Sequence, residues 1–141
     1  MTREGQGRRV VIVDNDRTVL ELLQIRLDLA GYHPLVERTA PAALETIRKM
    51  RPAAAIVELD LPAMDGFDLL KALDPRGEGL PCPVLVMARK LGPDDIREAV
   101  RLGAKDCMTK PFSGADMLER VSRLFRRPPP SLGTTRAPAL V

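Results

Sequence analysis

The chain has 141 residues and a mass of 15.5 kDa, sized for one domain, and its 45% hydrophobic and 29% charged residues are a globular balance that excludes a disordered polymer. No apolar run approaches the roughly 20 residues of a membrane span, and MTREGQGRR lacks the apolar core of a signal peptide, so a cytoplasmic protein is expected. The net charge of +3 is carried by basic ends around a mildly acidic body, and with 3% aromatic residues this is not the surface of a nucleic-acid binder.

After a polar tail at 1–8, Arg9–Asp14 (RVVIVD) predicts a strand buried on both faces. From Arg17 to Ala30 the period becomes helical, with Leu20, Leu23, Leu27 and Ala30 on one stripe and Gly31 as a natural stop. His33–Glu37 predicts a short edge strand that tolerates Pro34. Thr39 caps a second helix with Pro41 in its first turn and Ala43, Leu44 and Ile47 facing inward. Pro52 then precedes a second buried strand, Ala53–Glu58. Leu59–Gly66 is a loop and Phe67–Leu73 a short helix, and Pro75, Gly77, Gly79 and Pro81 mark a long turn. Pro83–Met87 is a third buried strand, Pro93–Leu102 an amphipathic helix stopped by Gly103, and Lys105–Thr109 a last, less apolar strand. Ser113 with Asp116 has the form of a capping box for a helix ending near Arg126, and 127–141 is a Pro- and Arg-bearing linker or tail.

The alternation is (βα)₅, an α/β fold with a doubly wound, five-stranded parallel sheet. In such sheets functional groups gather beyond the carboxyl ends of the strands. Those ends carry Asp14 and Asn15, Glu58, Met87 and Ala88, and Thr109 and Lys110. Two carboxylates and a lysine thus converge on one mouth. Cys82 and Cys107 have no metal or redox spacing and are expected to be free, buried thiols. His33 on its edge strand, and Met50, Met64, Met87, Met108 and Met117, are expected to be structural.

Three segments, VVIVDND at 10–16, ELDLPAMDGFDLL at 58–70 and GAKDCMTKPF at 103–112, resemble the receiver domain of bacterial two-component response regulators over residues 9–126. The resemblance implies the flavodoxin-like strand order 2-1-3-4-5. It also implies an aspartate on the third strand that accepts a phosphoryl group, an acidic pair that helps hold Mg²⁺, and a lysine contacting the phosphoryl oxygens. A Thr or Ser and an aromatic residue then relay the change to the face made by the fourth helix, fifth strand and fifth helix. Lys110–Pro111 matches a cis peptide bond of the family.

Asp14 and Lys110 match this pattern, whereas four positions depart from it. The acceptor position is Glu58, the second acid is Asn15, the hydroxyl position is Ala88 and the aromatic position is Cys107. Glu58 carries its carboxylate roughly 1.5 Å further out, one C–C bond, where transfer needs reacting atoms held near 3–3.5 Å. Asn15 removes an anion from the metal site, Ala88 has no hydroxyl to donate, and Cys107 has no ring to swing. The expected function is therefore a phosphorylation-independent protein-interaction module with no catalysis and no cofactor beyond weakly bound Mg²⁺ at Asp14, Glu58 and Asp60. A Glu58–Lys110 ion pair holds it in one shape. The alternative is a working phosphoryl acceptor using Asp60 or Glu58 with Mg²⁺. Asp16 is expected to cap the first helix instead of replacing the missing acid. Asp106 and Arg120 match positions that bridge symmetric dimers of related receivers, so another signalling protein or a weak homodimer is expected on that face.

Overall fold

A computed structural model of the chain describes residues 5–126. Five strands and five helices alternate: β1 Arg9–Val13, α1 Arg17–Leu29, β2 His33–Glu37, α2 Ala40–Met50, β3 Ala54–Glu58, α3 Gly66–Leu73, β4 Val84–Ala88, α4 Pro93–Arg101, β5 Asp106–Thr109 and α5 Gly114–Leu124. The strands form one parallel sheet in the order β2-β1-β3-β4-β5. The doubly wound sheet and its strand order are as the sequence led us to expect.

Side-chain alternation along the strands separates the core into two layers. Val10, Ile12, Ile56, Leu85 and Met87 pack against Leu20, Leu23 and Leu27 of α1 and Met117, Val121 and Leu124 of α5. Val11, Val13, Val57, Val84 and Val86 pack against Ala43 and Ile47 of α2, Leu69 and Leu70 of α3 and Ala99 of α4. Both faces are covered, which is why β1, β3 and β4 read as unbroken apolar runs. β2 is an edge: His33 donates its N–H to the Arg8 carbonyl, so the next residue, Pro34, turns its ring nitrogen to the open side.

Local caps fix where the helices begin. Asp16 accepts from the N–H groups of Thr18 and Val19, Thr39 from Ala42, and Asp65 exchanges hydrogen bonds with Asp68. Ser113 accepts from Asp116, but only half of the expected box forms, because the Asp116 carboxylate turns to Arg120. α1 stops at Leu29 with Ala30 as its cap, and Gly31 follows at φ 94° as the sequence requires. Residues 5–8 also belong to the packed unit, although the sequence reads as a polar tail up to residue 8. Gly5 is buried, Gly5 and Gly7 donate to Ala30 and Gly31, and the Arg8 guanidinium lies 4.4 Å over the Phe125 ring. Residues 127–141, expected to be a linker or tail, lie outside the described residues.

Candidate functional site

Each functional side chain sits where a strand of the parallel sheet runs out. Asp14 follows β1, Glu58 ends β3, Ala88 ends β4 and Lys110 follows β5. The parallel register brings them level: Glu58 lies beside Met87, Ala88 beside Thr109, and Lys110 N–H donates to the Ala88 carbonyl at 2.9 Å. Asp14 and Glu58 are 1% and 3% exposed, the two buried charged residues of the described chain. Buried carboxylates need partners.

Lys110 supplies them. Its Nζ donates to Asp14 Oδ2 at 2.6 Å and also pairs with Glu58 Oε1. The remaining oxygens face backbone: Asp16 N–H donates to Asp14 Oδ1 at 2.9 Å, and Asp60 N–H to Glu58 Oε2 at 2.8 Å. The Lys110–Pro111 peptide is cis. Burial acts to lower the Lys110 pKa, but hydrogen bonds and charge from Asp14 and Glu58 outweigh it and hold the ammonium above the ordinary lysine value. The result is a carboxylate–ammonium–carboxylate bridge with each carboxylate oxygen engaged.

The bridge forms the floor of an open cleft of about 430 Å³ lined by Asp14, Asn15, Asp16, Glu58, Asp60, Pro62, Arg89 and Lys110. Four carboxylates face two cations there, so the mouth is net negative. Asn15 is exposed, and its carbonyl accepts from Arg38 at 2.9 Å. Asp60 is exposed and lies in the loop after β3, giving its backbone N–H to Glu58. Asp16 serves as the α1 cap. Arg89 had no motif to mark it; its one signal is its place directly after Ala88 at the end of β4.

The fold implies Mg²⁺ at this mouth, and the donor set fits it poorly. A hard dication wants several oxygen anions. Here the space between the two buried carboxylates holds the Lys110 ammonium, Asn15 offers a neutral amide, and among the described residues no three His, Cys, Asp or Glu side chains gather at metal-binding spacing. Asp14, Glu58 and Asp60 therefore do not form a joint ligand set in this arrangement.

Behind the cleft, Ala88 is 5% exposed and Cys107 is half-buried against the α2–α3–α4 core layer. Both thiols are free. Burial pushes Cys82 up to about 11, and burial with the nearby Asp106 raises Cys107 as well, so neither is a ready thiolate. Arg120 of α5 bonds Asp106 at 3.0 Å, Asp116 at 3.1 Å and the Cys107 carbonyl at 3.0 Å, so the Asp106–Arg120 pair closes within one chain. Lys105 Nζ donates to the Leu124 carbonyl at the end of α5.

Gly66 holds the loop against the site. Its N–H donates to the Leu59 carbonyl, and a Cβ there would come within 2.5 Å of the Glu58 carbonyl oxygen and 2.7 Å of Leu59 Cα. Those are backbone atoms and cannot rotate away. Gly66→Ala is expected to lower the unfolding free energy by about 1–3 kcal/mol, read by urea titration.

A family model described as the response regulator receiver domain matches residues 10–122. The response regulator MprA of Mycobacterium tuberculosis is 34% identical over 125 residues, 86% of this chain and 52% of that protein. The alkaline phosphatase synthesis transcriptional regulatory protein PhoP of Bacillus subtilis is 31% identical over 121 residues, 86% and 50% of the two chains. The chain thus spans about half the length of these curated relatives. Among solved structures, a CheY-like receiver domain protein from Methanospirillum hungatei aligns with a TM-score of 0.74 at 26% identity, covering 82% of this chain and 91% of that one. The chemotaxis protein CheY4 of Vibrio cholerae aligns with a TM-score of 0.77 at 24% identity over 83% and 98%, a likeness of fold.

Proposed function

The chain belongs to the response regulator receiver domain family, and we propose that it is an atypical member: a phosphorylation-independent interaction module in bacterial signal transduction or transcription control. One observation carries this reading. The Lys110 ammonium already satisfies Asp14 and Glu58 from within the chain, and backbone N–H groups engage their other oxygens. An incoming phosphoryl anion meets a net negative mouth, and its nucleophile is an engaged glutamate one methylene too long. Ala88 and Cys107 supply neither hydroxyl nor ring to carry a change outward.

The output surface is the face of α4, β5 and α5, held in one conformation. Arg120 ties α5 to β5 through Asp106 and Cys107, and Lys105 ties the start of β5 to the end of α5. Because Asp106 and Arg120 are spent on each other, this face is open to a different signalling protein and offers little to a second copy. Exposed Ile96 and Val100 on α4 supply its apolar contact. The test is a two-dimensional amide NMR spectrum recorded with and without Mg²⁺ and beryllofluoride. Resonances of α4, β5 and α5 are expected to stay in place; their displacement refutes the proposal in favour of a working switch at Glu58 or Asp60.

A further inference from the structure

Three of the five large hydrophobic side chains exposed among the described residues lie on α1: Leu22 at 43%, Ile25 at 58% and Leu29 at 80%. At about 100° per residue they share one stripe, roughly 160° from the buried stripe of Leu20, Leu23 and Leu27. Spacings of three and four residues make this stripe the seam of a helix pair. Glu21 and Asp28 line one flank of the stripe. Arg26, whose guanidinium lies over Gly114 of α5, lines the other. Among the described residues these three side chains form no ion pair within the chain.

We propose that this stripe is a contact between two copies of this chain, with their α1 helices side by side and parallel. The charges select both the occupant and the direction. In a parallel two-fold pair the acidic flank of each helix meets the basic flank of the other, and Glu21 reaches Arg26 five residues further along the partner helix. In an antiparallel pair Glu21 of each helix meets Asp28 of the other, and the like charges repel. The parallel arrangement points both acidic mouths the same way and leaves both α4–β5–α5 faces uncovered. A partner that binds that face then meets two sites on one particle. Three apolar side chains per copy make a small core, so the dissociation constant is expected near 100 µM, weaker than a standard-sized interface gives.

Sedimentation velocity of the full chain from about 10 µM to about 1 mM spans this range. The wild type is expected to pass from monomer to dimer, and Ile25→Glu to weaken association at least about ten-fold, as a buried unpaired charge does. Glu21→Arg is expected to weaken it about three-fold, and Glu21→Arg with Arg26→Glu to restore it, because exchanging the two charges recreates the same cross-pair. All three positions are exposed, and circular dichroism of each variant checks that α1 still folds. A wild type monomeric throughout, or a dimer untouched by Ile25→Glu, overturns the interface. A double variant no tighter than Glu21→Arg overturns the parallel pairing.

Discussion

Lys110→Met is expected to lower the unfolding free energy by about 3–5 kcal/mol at pH 7, one of the largest single-residue effects in the domain. Methionine keeps most of the apolar stem of lysine but removes the charged end, leaving Asp14 and Glu58 without their counter-ion at 1% and 3% exposure. Two buried carboxylates without their counter-ion are destabilised by lost attraction and by mutual repulsion. In a domain of this size the loss corresponds to a fall in melting temperature on the order of 10–20 °C. The effect has a defined pH window. The folded-state pKa of Lys110 is raised, so its contribution is fully present below the unfolded lysine value, near 10.4, and is lost as pH rises through the folded pKa. Urea titrations of wild type and variant are expected to differ by a constant amount from pH 7 to about 10 and to converge above it. A small difference at pH 7 would mean that the bridge contributes little to the fold.

Recovery of phosphoryl transfer is expected to require Glu58→Asp and Asn15→Asp together. Glu58→Asp withdraws the carboxylate by about one C–C bond toward the length that in-line transfer requires. Alone it leaves the amide of Asn15 at the mouth, and uptake from a small phosphodonor with Mg²⁺ is expected to stay near the wild-type level. The second change adds the anion that a hard cation requires. Because such parts act as a unit, the double variant is expected to exceed the sum of the two single variants by at least about ten-fold in rate. Ala88 and Cys107 are untouched by both changes, so phosphorylated double variant is still expected to leave the α4–β5–α5 resonances in place. Full uptake by Glu58→Asp alone contradicts the role given to Asn15.

The fold was legible because the chain states it twice: in the switch between strand and helix periods, and in glycines and prolines at the boundaries. Runs such as VVIV and VLVM name buried strands, and Gly31 and Gly103 stop helices at φ 94° and 103°. Legible too were the mouth residues, since strand ends in a parallel sheet share one edge, and the Glu58–Lys110 pair. What the sequence could not state was the use of each remaining valence. That Lys110 spans both carboxylates, and that backbone N–H groups of Asp16 and Asp60 take the other oxygens, depends on loop conformation within a few ångströms. Asp106 and Arg120 match by position a bridge between chains of related receivers, and position alone does not name their partners within the chain, where rotamers set Arg120 against Asp106, Asp116 and the Cys107 carbonyl. Residues 5–8 read as polar because their anchoring is through glycine backbone and a guanidinium on a ring 117 positions away in sequence, features without periodicity.

Intact mass after incubation with a small phosphodonor and Mg²⁺ tests most directly whether Glu58 and Asn15 have taken the site out of phosphoryl transfer. The wild-type chain is expected to keep its mass under conditions in which the Glu58→Asp, Asn15→Asp variant gains one phosphoryl group. A stable wild-type adduct mapped to Glu58 or Asp60 would contradict the account.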